Sequence, residues 1–486
     1  MLKRLFIFLS ILALTLCAPA QAPPLNALKT EPQIDLGVQQ QSPATMQWFG
    51  DAKFGMFVHW GIYAVRAKGE WVLYEDKLPY SEYIMDAYPH EGPYFDAASY
   101  DPASWAQLAK DAGMKYMVLT TRHHDGFALF DSKVPWAITT QQSIGRDLVG
   151  EYVRAARKAG LRVGLYYSLL SWRYPGYFDV YGTKAAPNNF GITTAAWHKQ
   201  NAWFMKAELY DQVRELMTNY GPVDLLWWDG GWIGLQGSDR SGAYFWEPGK
   251  YRSPQNAWSG DYGIHGKLPE DDGRPLGIMG MVRELQPEIL ANGRSGWIGD
   301  YDVEEGGKPV NGPVRPHAWE KAMNLNQASW GYNTKQDPLS LPQLTKMFVD
   351  VLVRNGNLLL NLGPDRHGVI PPVQADELRA FGTWLHRVDE SVYGTRAGPW
   401  NPVDDQYGFT QRGDHIYAHL ENGYAGDTFT FPAPHIGVLR CYDVQTHKAI
   451  PFHVERDGRV SVKDIDRAAH PDDTVIALVL ERASQS

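Results

Sequence analysis

The chain carries 55 acidic and 46 basic side chains in 486 residues, a formal charge of −9. It contains no basic run, which argues against nucleic acid or an anionic membrane surface as partner. With only two cysteines, a chain of this length must be held by a large core, divided between two domains, rather than by disulfides. Its 18 Trp and 26 Tyr fit either a large aromatic core or surfaces on which sugar rings stack.

Lys3 and Arg4, the apolar stretch Leu5 to Leu16, and Ala20-Gln21-Ala22 are the three parts of a secretory signal peptide. The apolar stretch is too short to span a bilayer. Cys17 follows the bulky Leu16, where a lipoprotein signal prefers a small residue, so simple cleavage after Ala22 and release to the periplasm or medium are expected. Losing Lys3 and Arg4 takes the charge from −9 to −11, and Cys441 is left without a partner. Residues 23–42, rich in Pro, Gln and Ala, read as a loose lead-in.

From 43 to 397 strand-like and helix-like segments alternate. Phe54 to Trp60 predicts a strand, Trp105 to Ala112 a helix, Tyr116 to Thr121 a strand, and Asp147 to Ala159 a helix stopped by Gly160. Arg162 to Ser168 is a strand, Ala195 to Asn219 a long helix, and Val223 to Asp229 a strand bounded by Gly-Pro and Gly-Gly. Glu288 to Arg294 predicts another strand, Leu341 to Arg354 a helix, and Asn357 to Leu362 a strand. Gly234 to Gly280, rich in Gly, Pro, Ser and Asp, reads as an irregular insertion beside a cleft. The alternation fits an α/β fold, either a doubly wound sheet or, better for this length, a (β/α)-type TIM-like barrel. From 398 to 486 short β runs (His415 to Leu420, Thr428 to Phe431, Val438 to Val444, Thr474 to Leu480) point to a C-terminal β-sandwich.

Several strands end in polar residues: His59, then Arg122-His123-His124-Asp125, then Tyr166-Tyr167-Ser168, then Asp229, then Asn292-Gly293-Arg294. In a barrel these tips converge on one face. Asp229, among Trp227, Trp228 and Trp232, sets a carboxylate against apolar rings, a pairing suited to sugars. His59, His123, His124 and Asp229 are metal-ligand types, but the H-x-H alternation is missing and adjacent histidines on a strand point apart. Neutral imidazoles bonding sugar hydroxyls are the better reading, with no metal or other cofactor. Metal-free hydrolysis of a glycoside needs two carboxyl groups. Asp229 is the nucleophile candidate. Its partner is sought in the acidic loop Gly299 to Glu305, which offers Asp300, Asp302, Glu304 and Glu305. Glu70, beside Trp71, and Glu320, beside Trp319, are candidates for holding a hydroxyl.

Five segments together resemble the α-L-fucosidases of glycoside hydrolase family 29: Phe54–Gly61, Thr121–Phe127, Trp228–Trp232, Ser329–Tyr332 and Gly356–Pro364. The resemblance covers roughly residues 45 to 400. It implies a (β/α)-type barrel followed by a β-sandwich, and an exo-acting, retaining enzyme that takes terminal fucose from fucosylated glycans through a covalent fucosyl-enzyme on Asp229. His59, Glu70, His123, His124, Tyr166 and Arg294 would then bond fucose hydroxyls, and Trp227 and Trp330 would enclose its C5 methyl. Gly299 to Glu305 resembles the family's acid/base loop and places Glu305 on that role, with Val303 standing where the family has Thr and Glu304 as immediate rival. Two alternatives are a retaining hydrolase of a related sugar, such as an α-L-galactoside, and a fucose-binding protein without activity.

Overall fold

The computed structural model describes residues 40–78, 88–169, 171–173, 208–230, 278–295 and 299–481. The expected signal peptide, nearly all of the lead-in, Trp232 and the insertion up to residue 277 lie outside them.

Eight parallel strands form the larger unit: β1 (Phe54–Val58), β2 (Tyr116–Arg122), β3 (Arg162–Ser168), β4 (Leu225–Asp229), β5 (Leu290–Ala291), β6 (Asp302–Glu305), β7 (Trp319–Asn324) and β8 (Gly356–Leu362). Hydrogen-bonded neighbours run β5-β4-β3-β2-β1-β8-β7-β6. A single parallel bridge between Asn292 and Tyr301 joins the two end strands. Order around the ring therefore follows order in the chain, as in a (β/α) barrel.

Helix α1 (Pro43–Ala52) precedes β1, α2 (Pro102–Asp111) follows it, α3 (Leu148–Lys158) follows β2, and α4 (208–219) leads into β4. Next come α5 (Ile278–Leu285) before β5, α6 (Leu341–Leu352) before β8, and α7 (Pro372–Val388) after it. Among the described residues no α-helix links β5 to β6 or β6 to β7; the first link holds only the one-turn 3-10 helix Gly293–Ser295. In α3 the Asp147 side chain caps the free Gly150 N–H, Arg157 and Lys158 sit in the last turn, and Gly160 leaves the helix at φ 77°. Its buried Leu148, Val149, Tyr152, Val153 and Ala156 form one apolar stripe.

Strand alternation sorts the side chains. Leu225 and Trp227 of β4 join an interior cluster with Phe57, Val118, Tyr166, Leu290, Tyr301, Ala322 and Leu359, while Leu226 and Trp228 face the helices. Phe49 and Ala52 of α1 close the interior from below. Each fully buried large apolar side chain contributes about 1.5–3 kcal/mol, so the barrel centre is a packed core. Gly55 makes this packing possible: a Cβ there would lie 2.4 Å from the Tyr116 ring.

After the barrel, a five-stranded antiparallel sheet is ordered Arg396–Ala397, Tyr407–Arg412, His415–Glu421, Asp473–Leu480, Val438–Asp443. A three-stranded sheet (Phe429–Phe431, Val460–Val462, Phe452–Val454) faces it across Phe409, Ile416, Leu420, Phe431 and Leu478. The opposite face of the larger sheet, with Tyr417, Val475 and Ala477, joins the barrel's outer core. This is why Asp473–Leu480 is buried at every position. Among the described residues no helix is long and apolar enough to cross a membrane.

Two expectations need correction. The acidic segment is not all loop, because Asp302–Glu305 is strand β6. The strand expected over Glu288 to Arg294 shrinks to Leu290–Ala291. There the Asn292 side chain takes over the ladder, accepting from Trp228 N and donating to Trp228 O, both at 3.1 Å. Of the long helix expected from Ala195, only 208–219 lies among the described residues.

Candidate active site

Seven of the eight strands, all but β7, carry a residue of one mouth at or just past their ends. Asp229, the last residue of β4, is 6% exposed and fully engaged. Its Oδ1 accepts from Arg294 Nη2 (2.6 Å), Arg294 Nε (3.2 Å) and Gly230 N (2.8 Å), and its Oδ2 accepts from the Tyr166 hydroxyl (2.8 Å). His124 Nε2 stands 3.6 Å from Oδ2. Burial alone would raise this carboxyl's pKa. The Arg294 charge, His124 and the hydrogen bonds from Arg294 and Tyr166 overcome that and hold it at about 2.

Glu305 meets the same guanidinium, its Oε2 2.9 Å from Arg294 Nη2. The contacts of 2.6 and 2.9 Å share one nitrogen, so Asp229 Oδ1 and Glu305 Oε2 are at most 5.5 Å apart. Glu305 keeps 36% side-chain exposure at the mouth while its carboxyl reaches inward. Burial of that carboxyl raises its pKa to about 7; Arg294 pulls it down and Asp229 pushes it up.

Alternation along β6 separates the two glutamates. Glu305 pairs in register with Ala322 and shares the inner face with Val303, whereas Glu304 pairs with Lys321. Glu304 is bound outside the barrel by Lys321 Nζ (2.6 Å) and Arg315 Nη2 (2.7 Å). Although burial raises its pKa, those two cations lower it below the usual range. Asp300 is spent as well: both its oxygens accept from Arg283 Nη2 at 2.8 Å, and it also accepts from Ala291 N and Gln41 N.

The histidines line the other side. A register shift between Thr120 and Arg122 at the end of β2 is followed by a turn in which Gly126 N donates to His123 O. Adjacent His123 and His124 therefore stay together, ring centroids 4.2 Å apart. His124 Nδ1 bonds Ser168 Oγ at 2.6 Å. Buried His123 Nδ1 has no hydrogen-bond partner among the described residues. His59 Nδ1 lies 2.7 Å from Asn361 Oδ1. Asn361 Nδ2 faces the Trp330 carbonyl at 2.7 Å, and a carbonyl can only accept, which fixes the amide's orientation. His59 Nδ1 must then carry the proton, leaving Nε2 as an acceptor toward the site. Burial lowers His59 to about 3 and His124 to about 4, so both imidazoles are neutral near pH 7.

Aromatic rings complete the enclosure. Trp227 stacks on Tyr166 (5.5 Å, 19°) and Trp330 lies 5.0 Å from the His59 ring. Trp71 packs edge-on to His124 at 5.2 Å. Buried Glu70 accepts from Gly331 N (2.7 Å), tying its loop to that of Trp330, and burial raises its pKa to about 7.

His59, Glu70, Trp71, His123, His124, Tyr166, Trp227, Asp229, Arg294, Glu305 and Trp330 thus fall in or against one cluster, with differences of detail. Tyr166 directs its hydroxyl to Asp229. Trp228 points outward, its Nε1 on Met279 Sδ, so it does not enclose Asp229. Glu320 lies beneath the site, bonded to Tyr116 and Trp227 rather than open to a ligand. Ser168, which orients His124, is among the strand-tip residues read from the sequence, whereas Asn361, which orients His59, is not; an asparagine inside the apolar run Leu358–Leu362 is the signal that marks it. Donor atoms of His123, His124 and Asp229 lie within 4.8 Å of one another, a spacing a metal ion could use. Here the carboxylate is already committed to Arg294 and Tyr166, and a cation would sit beside the guanidinium, so the donor set does not fit one well.

Residues 24–390 match the family model described as α-L-fucosidase. Tissue α-L-fucosidase of Bos taurus is 32% identical over 398 residues, 77% of this chain and 74% of that protein. α-L-Fucosidase isoenzyme 1 from Paenibacillus thiaminolyticus superposes with a TM-score of 0.69 at 30% identity, covering 90% of this chain and 99% of that one. Thermotoga maritima α-fucosidase in complex with fucose gives 0.67 at 25%, covering 89% and 96%. The fold, the ring of strand-tip residues and these likenesses agree, and the chain belongs to the α-L-fucosidases of glycoside hydrolase family 29.

Proposed function

We propose that this α-L-fucosidase acts on terminal α-L-fucosyl residues of glycans by retaining hydrolysis, with Asp229 as nucleophile and Glu305 as acid/base. The carrying observation is the shared guanidinium, which keeps the two carboxyl oxygens within 5.5 Å. Retaining pairs stand about 5–5.5 Å apart, inverting pairs about 6.5–9.5 Å.

Asp229, held at about 2, is ionised at any working pH, while Glu305 at about 7 still carries a proton in much of the population. Glu305 gives that proton to the glycosidic oxygen as Asp229 attacks C1. The C1–O bond to the leaving group breaks, and the alcohol departs with the proton. Esterified Asp229 carries no charge, so it no longer repels Glu305, and Arg294 serves Glu305 alone. The pKa of Glu305 falls, and it takes a proton from the water that attacks C1 and frees Asp229. His59 Nε2 accepts from a sugar hydroxyl, and the buried His123 Nδ1 awaits a polar partner. Trp227 and Trp330 wall the C5 methyl, whose burial is worth about 0.8 kcal/mol, roughly fourfold in affinity.

Incubation with 4-nitrophenyl α-L-fucoside, followed by proton NMR, tests this. First release of α-L-fucose is expected; first release of the β-anomer overturns the retaining assignment. Residues 1–22 are read as the export signal, 43–397 as the catalytic barrel and 398–486 as the sandwich. N-terminal sequencing of exported protein should begin at Pro23.

A further inference from the structure

Glu320 is a buried carboxyl that the proposed chemistry does not use. β7 turns it into the barrel with no exposed surface. Its Oε2 accepts from the Tyr116 hydroxyl (2.6 Å) and its Oε1 from the Trp227 indole N–H (2.8 Å). Both partners are neutral. A carboxyl buried without a cation is costly compared with an apolar side chain of similar size. Its effect is felt through Trp227, since an indole N–H inside a packed barrel needs an acceptor, and a fixed acceptor selects one ring orientation.

That orientation matters for everything above it. The Trp227 ring stacks on Tyr166, packs 5.0 Å from Phe57, and carries the Arg294 guanidinium 5.3 Å over its centroid. Tyr166 and Arg294 are the side chains that bond Asp229. Two residues along the same strand, the indole shares the inner face with the Asp229 carboxylate. We propose that Glu320 is a positioning residue that fixes the Trp227 indole, and that it thereby sets the preference for a 6-deoxy sugar over one with a C6 hydroxyl. This rests on the fucosidase reading given above.

The test compares wild type with Glu320→Gln, Glu320→Met and Tyr116→Phe, measuring kcat and KM on the 4-nitrophenyl α-L-fucoside and α-L-galactoside, with a melting curve for each. Glutamine keeps a carbonyl acceptor for the indole and can donate to Tyr116, so its fucoside/galactoside ratio of kcat/KM should stay at the wild-type value. Methionine fills the space without an acceptor and should lower fucoside kcat/KM about tenfold and reduce the ratio at least about threefold. Tyr116→Phe removes the other hydrogen bond but leaves the indole bond, so it should lower the melting temperature without moving the ratio. An unchanged ratio in Glu320→Met, or an equal change in Tyr116→Phe, overturns the proposal. Absence of fucoside turnover in wild type would instead sink the proposed activity. The inference would then be judged by calorimetric binding of L-fucose against L-galactose in the same variants, with the same outcomes for the affinity ratio.

Discussion

Replacing Arg294 by methionine should shift the whole pH profile of the enzyme upward. The guanidinium gives Asp229 two charge-assisted hydrogen bonds, at 2.6 and 3.2 Å, and a third contact at 2.9 Å to Glu305. Burial raises the pKa of both carboxyl groups; Arg294 lowers both. A hydrogen bond to a charged group is worth about 1.5–3 kcal/mol, and about 1.4 kcal/mol corresponds to one pKa unit. Losing the shorter bond alone should therefore raise Asp229 by about one to two units from its starting point near 2. Glu305 should rise too, from about 7.

The acid limb of kcat/KM reports the free enzyme's nucleophile and the basic limb its acid. Initial rates on the 4-nitrophenyl fucoside from about pH 2 to pH 9 should show both limbs moving in the same direction, upward. Limbs that stay put, or that move apart, would refute the claim that one guanidinium poises both carboxyls. Stability gives a second readout. Asp229 has its folded pKa depressed from 3.8, so its contribution is present above that value and is lost as pH falls through about 2. The variant's loss of melting temperature should be largest near neutral pH and shrink as the medium is acidified.

The remaining predictions concern individual residues. Asp229→Gly should abolish hydrolysis while L-fucose still binds by calorimetry, and azide should give the β-fucosyl azide by entering from the vacated face; undiminished hydrolysis removes Asp229 from the nucleophile role. Glu305→Ala should be rescued by azide with retention to the α-azide, and should hurt good leaving groups less than natural glycosides in the glycosylation step. Glu304→Ala should lack both signatures, because that side chain is bound to Lys321 and Arg315; the reverse pattern exchanges the assignments. Asn361→Leu should raise KM about tenfold by freeing the His59 tautomer and the Trp330 loop. An unchanged KM would mean the imidazole is held by other contacts. EDTA dialysis should leave turnover unaltered, and a loss restored by a divalent ion would show that His123, His124 and Asp229 do bind metal.

Much of the barrel was legible because β1 to β4 and β8 are apolar runs punctuated by turn residues, and their tips carry the polar groups. Helix ends were readable where caps are explicit, as at Asp147 and Gly160. β6 was not legible. Its Asp302-Val303-Glu304-Glu305 offers only one apolar inward residue, and no described α-helix on either side sets up an alternation. β7 failed for a related reason: Trp319 to Asn324 mixes Glu320 and Lys321 into a strand buried almost throughout. The competition between Glu304 and Glu305 could not be decided in sequence because adjacent residues differ only by face, and face depends on a register that the chain order does not disclose. Asn292 shortened β5 by a side-chain bond that mimics the backbone, which no apolar periodicity can foresee.

That no α-helix among the described residues flanks β6 has a consequence for how such an enzyme can change. Asp229 ends a strand hydrogen-bonded on both sides and buried on both faces, so a change beneath it disturbs the core. Glu305 ends a strand that one neighbour pairs with fully and the other through a single bridge at its base, with no α-helix in the described links to β5 and β7. Insertions and exchanges are tolerated most readily where the fewest contacts are broken. On the proposed assignment, the half of the machinery that meets the leaving group can therefore be rebuilt for new aglycones, or for acceptors other than water, while the half that holds fucose stays in place.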